Sequence, residues 1–78
     1  MKTSFGKYIV ADPKVCHGKL TFKGTRIFVA DVLDMVAQGL SWEYIIQQWH
    51  GNISKEAIAE AVRLSKESFL EKERAIAA

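Results

Sequence analysis

Val29-Ala30-Asp31-Val32-Leu33-Asp34-Met35-Val36-Ala37-Gln38-Gly39-Leu40-Ser41-Trp42-Glu43-Tyr44-Ile45-Ile46-Gln47-Gln48-Trp49 is the stretch that decides the fold. Val29, Val32, Leu33, Val36 and Ala37 recur at three- and four-residue spacing, which gathers them on one face of a helix. Gly39 ends that helix, because glycine enters the left-handed conformation of a helix stop most readily. Leu40 then stands where an apolar side chain plugs a corner between two helices. Ser41 can cap the second helix by accepting from its free first-turn amides, and Glu43 suits the positive end of the dipole. Trp42, Ile45, Ile46 and Trp49 carry the apolar stripe onward for about two turns. A helix, a glycine turn and a helix make the layout of a helix-turn-helix. Other crossed helix pairs joined by a glycine turn read the same way.

Toward the C-terminus, His50-Gly51-Asn52 is a turn cluster, Ser54 is a second cap and Glu56 sits in a first turn. Nothing breaks a helix after Lys55. Ala57, Ile58, Ala61, Val62, Leu64, Phe69, Leu70 and Ile76 are set among Glu, Lys and Arg. Residues 55–76 as one helix span about 33 Å, too long for two short helices to cover. Phe69, Leu70 and Ile76 are therefore expected to overhang the core and to meet a dimer mate or another protein. The plainer alternatives are that Phe69 folds back onto the N-terminal part, or that the helix end frays.

Toward the N-terminus the periodicity is that of short extended segments. Tyr8-Ile9-Val10 is β-prone and is stopped by Ala11-Asp12-Pro13. Leu20-Thr21-Phe22 and Arg26-Ile27-Phe28 flank Lys23-Gly24-Thr25, where Gly24 supplies the positive φ of a tight turn, and together they predict a hairpin. The expected fold is mostly α, a three-helix helix-turn-helix domain with a short N-terminal β-hairpin. It forms one domain over residues 1–78: a β-rich part at 8–29, the helix-turn-helix at 30–53 and the long helix at 54–78.

The 78 residues suit one small domain, which buries roughly 60% of its chain surface on folding and gains from a partner. Hydrophobic residues at 49% and charged residues at 26% exclude a disordered chain. No apolar run approaches the ~18 residues of a membrane span, and the N-terminal stretch lacks the apolar core of a secretory signal. The lone Cys16 cannot close an intrachain disulfide, so a cytoplasmic location is expected. The net charge of +2 is unevenly spread. Lys2, Lys7, Lys14, Lys19, Lys23 and Arg26 face only Asp12 in residues 1–26, a net +5, whereas residues 27–78 carry a net −3. The basic third suits phosphate or an acidic protein surface, or simply keeps strand edges soluble.

No enzyme is expected. Catalysis needs a nucleophile or an acid–base pair within hydrogen-bond reach, and adjacent Cys16 and His17 point apart in an extended segment. With His50 as the only other histidine they also fall short of a zinc site. Asp31 and Asp34 share a helix face as a metal pair would, but Asp31 equally serves the helix dipole and Asp34 solvation. No glycine-rich loop precedes a Lys-Ser/Thr pair, so no cofactor is expected. For DNA, Gln47 and Gln48 can pair with adenine edges. Their helix lacks Lys and Arg, so phosphate attraction falls to Lys19 and Lys23. Gly24, Arg26, Gly39 and Ser41 are assigned structural roles, with Arg26 pairing to Asp12, Asp31 or carbonyls.

The run from Asp12-Pro13 through Gly18-Lys19 and Gly24-Thr25-Arg26-Ile27 to Val29, followed by Ala37-Gln38-Gly39-Leu40-Ser41-Trp42-Glu43-Tyr44-Ile45, resembles a prokaryotic domain-of-unknown-function family, number 433. The resemblance covers about residues 8–66. It implies a homeodomain-like helix-turn-helix with a small β element. It also implies kinship with VapB-type antitoxins, which sequester a PIN-like ribonuclease toxin and in some cases bind their own promoter. The expected function is thus an antitoxin-like binding protein, and the alternative is a DNA-binding repressor acting without a toxin. Leu20 after Gly-Lys and Phe28 after Arg-Ile replace the family's prolines, and Trp49-His50 replaces a Tyr-Pro.

Overall fold

The computed structural model describes residues 1–77; Ala78, the last residue of the expected 54–78 segment, lies outside them. A small sheet precedes three helices. The elements are β1 (Thr3–Phe5), β2 (Ile9–Ala11), β3 (Leu20–Phe22), α1 (Val29–Ala37), α2 (Trp42–Gln48) and α3 (Lys55–Ala77). The sheet is antiparallel in the order β1-β2-β3, with Phe5, Ile9 and Phe22 side by side. Successive strand residues alternate faces, so Phe5, Ile9, Phe22 and Leu20 share one face. The core joins Ile9 and Phe22 of that face to Ile27, Val29, Val32, Ile45, Ile53, Ala57, Ile58 and Ala61.

The expected hairpin is corrected in its pairing. Leu20–Phe22 pairs with Ile9–Ala11, and Arg26–Phe28 contributes only a single bridge, Thr21 to Phe28. Thr25 is the reason. Its hydroxyl donates to the Phe22 carbonyl at 2.8 Å and accepts from the Ile27 amide at 3.0 Å. Gly24 at φ +80° completes the bend, and the chain enters α1 at Val29 before a strand can form. β1 was not foreseen, because Thr3-Ser4-Phe5 is exposed throughout and carries no alternating pattern. The segment around Cys16 and His17 is also corrected. It is a 3-10 turn with both residues at positive φ, not an extended stretch.

The helix ends follow the sequence closely. Gly39 (φ +83°) donates to the Val36 carbonyl at 3.0 Å, and Leu40 donates to that of Met35 at 3.3 Å. This is the Schellman pattern that satisfies the orphan carbonyls of a helix end. Ser41 accepts from the Tyr44 amide at 3.1 Å and Ser54 from the Ala57 amide at 3.1 Å, so both expected caps form. α2 ends in a second Schellman pattern, with His50 donating to Gln47 at 3.0 Å and Gly51 to Ile46 at 2.9 Å. Here His50 occupies the left-handed position at φ +56°, where a residue with a Cβ costs about 1 kcal/mol.

A candidate protein-binding surface

α3 is 23 residues long, about 34 Å, while α1 and α2 have 9 and 7 residues. The short helices cover only its beginning. Ala57, Ile58, Glu60 and Ala61 are buried, and from Lys66 to Ala77 every residue is exposed. Phe69 keeps 73% of its surface in solvent and Ile76 keeps 86%. Each helical residue turns the direction by about 100°. Phe69 and Ile76 therefore lie on one side of α3, and Leu70 is rotated away from them. The expected trio is a pair plus a residue on another face.

Between the overhanging helix and the sheet runs an open groove of about 600 Å³. Phe5, Leu20, Leu33, Leu64 and Phe69 wall it, Ala61, Ser65 and Ser68 form the helix side, and Glu67 and Glu71 stand on its rim. Ser65 does not leave a free hydroxyl there, because it donates to the Ala61 carbonyl at 2.9 Å. The shared sheet face aims Phe5 and Leu20 at α3, and both are more than a third exposed.

Beside the groove, Glu60 fastens the sheet to α3. Its carboxylate accepts from the Tyr8 amide at 2.7 Å and the Lys7 amide at 3.0 Å, tying the β1–β2 turn to α3. Arg63 lies 3.5 Å from the same carboxylate. Burial pushes the Glu60 carboxyl up, but the two amide bonds and the Arg63 guanidinium outweigh it. The pKa falls below the ordinary 4.5, so the group stays charged. Gly6 permits the approach. A Cβ there would stand 2.6 Å from the carboxylate, and its φ of +71° already disfavours any side chain. Glu60 escaped the sequence reading because it looks like one more solvated acid on a charged helix. The available hint was its place between buried positions Ala57 and Ala61.

The remaining expected residues fall elsewhere. Lys19, Lys23, Gln47 and Gln48 are all exposed. Lys19 Nζ lies 5.8 Å from the centre of the Phe28 ring, and Lys23 borders a shallow depression beside Gly51-Asn52-Ile53. Gln47 and Gln48 occupy the last turn of α2. Arg26 is exposed, and among the described residues its guanidinium pairs with neither Asp12 nor Asp31. The expected lock is absent because Thr25, not Arg26, closes the bend. Cys16 Sγ lies 4.0 Å from the Arg26 carbonyl. No group of three His, Cys, Asp or Glu among the described residues could hold a metal, and no helix among them is long and apolar enough to cross a membrane.

Comparison with curated proteins and with solved structures gives no match in either. The family described as "Protein of unknown function (DUF433)" matches residues 9–64, from β2 through the first half of α3. That span holds the Thr25 bend, both serine caps and Glu60, and covers well over half of the sequence, so the chain belongs to the DUF433 family.

Proposed function

We propose that this chain is a protein-binding module of the antitoxin type, whose groove receives an apolar segment of a protein partner. The observation that carries the reading is the groove itself, open and apolar beside a chain third with a net charge of +5. Exposed Phe5, Leu20 and Phe69 beside a groove are the kind of patch that marks a binding surface. The partner we propose, on the family resemblance, is a PIN-like ribonuclease toxin that this chain sequesters in the cytoplasm. The work is binding, and no catalytic residue is assigned. Promoter binding belongs to the same reading, with α1, the Gly39 turn and α2 as a helix-turn-helix of the homeodomain-like kind.

The test is calorimetric titration with the nuclease from the neighbouring reading frame. Phe5→Glu and Leu20→Glu alter exposed groove walls, so each should lose at least about tenfold in affinity with its melting temperature nearly unchanged. Binding indifferent to both substitutions contradicts the groove reading. A chain that ignores the nuclease but shifts its upstream DNA, weakening steeply with salt and with Lys19→Ala and Lys23→Ala, is the repressor instead.

A further inference from the structure

We propose that α3 also pairs with α3 of a second copy of this chain, antiparallel, about a twofold axis at Phe69. Val62, Phe69 and Ile76 stand seven residues apart and are all exposed, at 37%, 73% and 86%. On a straight helix a seven-residue repeat drifts by only about 20°, so the three form a ladder along one side. The ladder reads the same in both directions about Phe69. Turning one copy end for end sets Phe69 on Phe69 and Val62 on Ile76, apolar on apolar at every step.

The helix dipoles, which attract when antiparallel, favour that direction, and the flanking charges complement it. Lys66 and Glu73, also seven apart, border the ladder on one side. Of the other charges, Arg63 is engaged within the helix with Glu60 and Glu67, and Arg74 with Glu71, while Lys72 stands on the opposite flank. Lys66 and Glu73 pair with nothing among the described residues. In an antiparallel pair the same flank of each helix meets the other. Lys66 of one copy then lies within about one residue's rise of Glu73 of the other, and the axis makes two such pairs. On the opposite flank of the antiparallel pair Lys72 meets Ser65 of the second copy, so no like charges collide. A parallel pairing instead sets Glu73 near Lys72 of the second copy and Lys66 near Ser65, so there Lys66→Glu would break no ion pair.

Phe69 belongs to both surfaces, but Val62, Lys66, Glu73 and Ile76 do not line the groove, so the charge swaps at Lys66 and Glu73 test the ladder apart from the groove reading. Phe69, Ile76, Lys66 and Glu73 also lie beyond residues 9–64, the part matched by the family.

Sedimentation equilibrium on the full chain at low salt tests the proposal. The expected result is a dimer that Lys66→Glu or Glu73→Lys weakens by about tenfold, since each swap turns two attractions into two repulsions. The double variant Lys66→Glu/Glu73→Lys should recover the original dimer to within about threefold. Both residues are exposed, and circular dichroism should show unchanged folding. A chain that stays monomeric to about 0.5 mM overturns the proposal. So does a dimer indifferent to the single swaps, or one that the double swap fails to restore.

Discussion

The two halves of α3 are chemically alike and physically different. Both mix Glu, Lys and Arg with aliphatic residues, yet the first half buries Ile58 completely and the second leaves Ile76 almost bare. In the first half a glutamate is drawn inward to hold the β1–β2 turn. In the second, Glu71 turns sideways to Arg74 at 3.1 Å on the surface. The same residue types thus specify the fold where other elements reach them and offer a surface where none does. Reach is set by the lengths of α1 and α2, not by the composition of α3.

The sharpest way to break this contrast is a matched pair of truncations. Ile58→Ala should cost about 3–4 kcal/mol in chemical denaturation, whereas Ile76→Ala should stay within about 0.5 kcal/mol. Comparable losses would mean that the second half is packed after all. Next in size is the clamp. Glu60→Ala leaves the Lys7 and Tyr8 amides without their acceptor and should cost about 2–3 kcal/mol by the same measurement. Gly6→Ala should cost a similar amount, because the methyl meets the carboxylate at a strained φ.

The clamp also sets a pH signature. The folded pKa of Glu60 lies below its ordinary value of 4.5, so its stabilisation is fully present above 4.5. It is lost as pH falls through the depressed folded value. Thermal melts from pH 7 downward should therefore show the wild type losing its advantage over Glu60→Gln below about pH 4.5. A constant gap at all pH values would show that the carboxylate's charge is not what holds the turn. A smaller gain is expected at the end of α2. His50→Gly relieves a left-handed residue and should stabilise by about 0.5–1 kcal/mol, read as a raised melting temperature. Smallest of all, Arg26→Ala should change stability by less than about 0.5 kcal/mol, because its guanidinium is exposed and unpaired with Asp12 or Asp31.

The helical part of the fold was legible because its signals are local. Ser41, Ser54 and Gly39 act within a turn of themselves, so spacing alone locates both caps and the first stop. The sheet was less legible. Its strands are three residues each, too short for a period to declare itself, and the partner of Leu20–Phe22 is set by the Thr25 bend. The overhang of Phe69 and Ile76 followed from helix length, a quantity the sequence does contain. Leu70 overhangs with them, but helical rotation sets it on another face. Glu60 was hidden for a different reason. Its partners are backbone amides more than fifty residues away, and an amide leaves no mark in the pattern of side chains.

Hydrogen exchange along α3, followed from dilute to concentrated solution, tests most directly the claim that one half builds the fold and the other waits for a second chain. The account predicts strong protection of residues 57–64 at every concentration, with residues 68–77 exchanging quickly when dilute and slowing as the chain is concentrated. Uniform protection of the whole helix in dilute solution would contradict it.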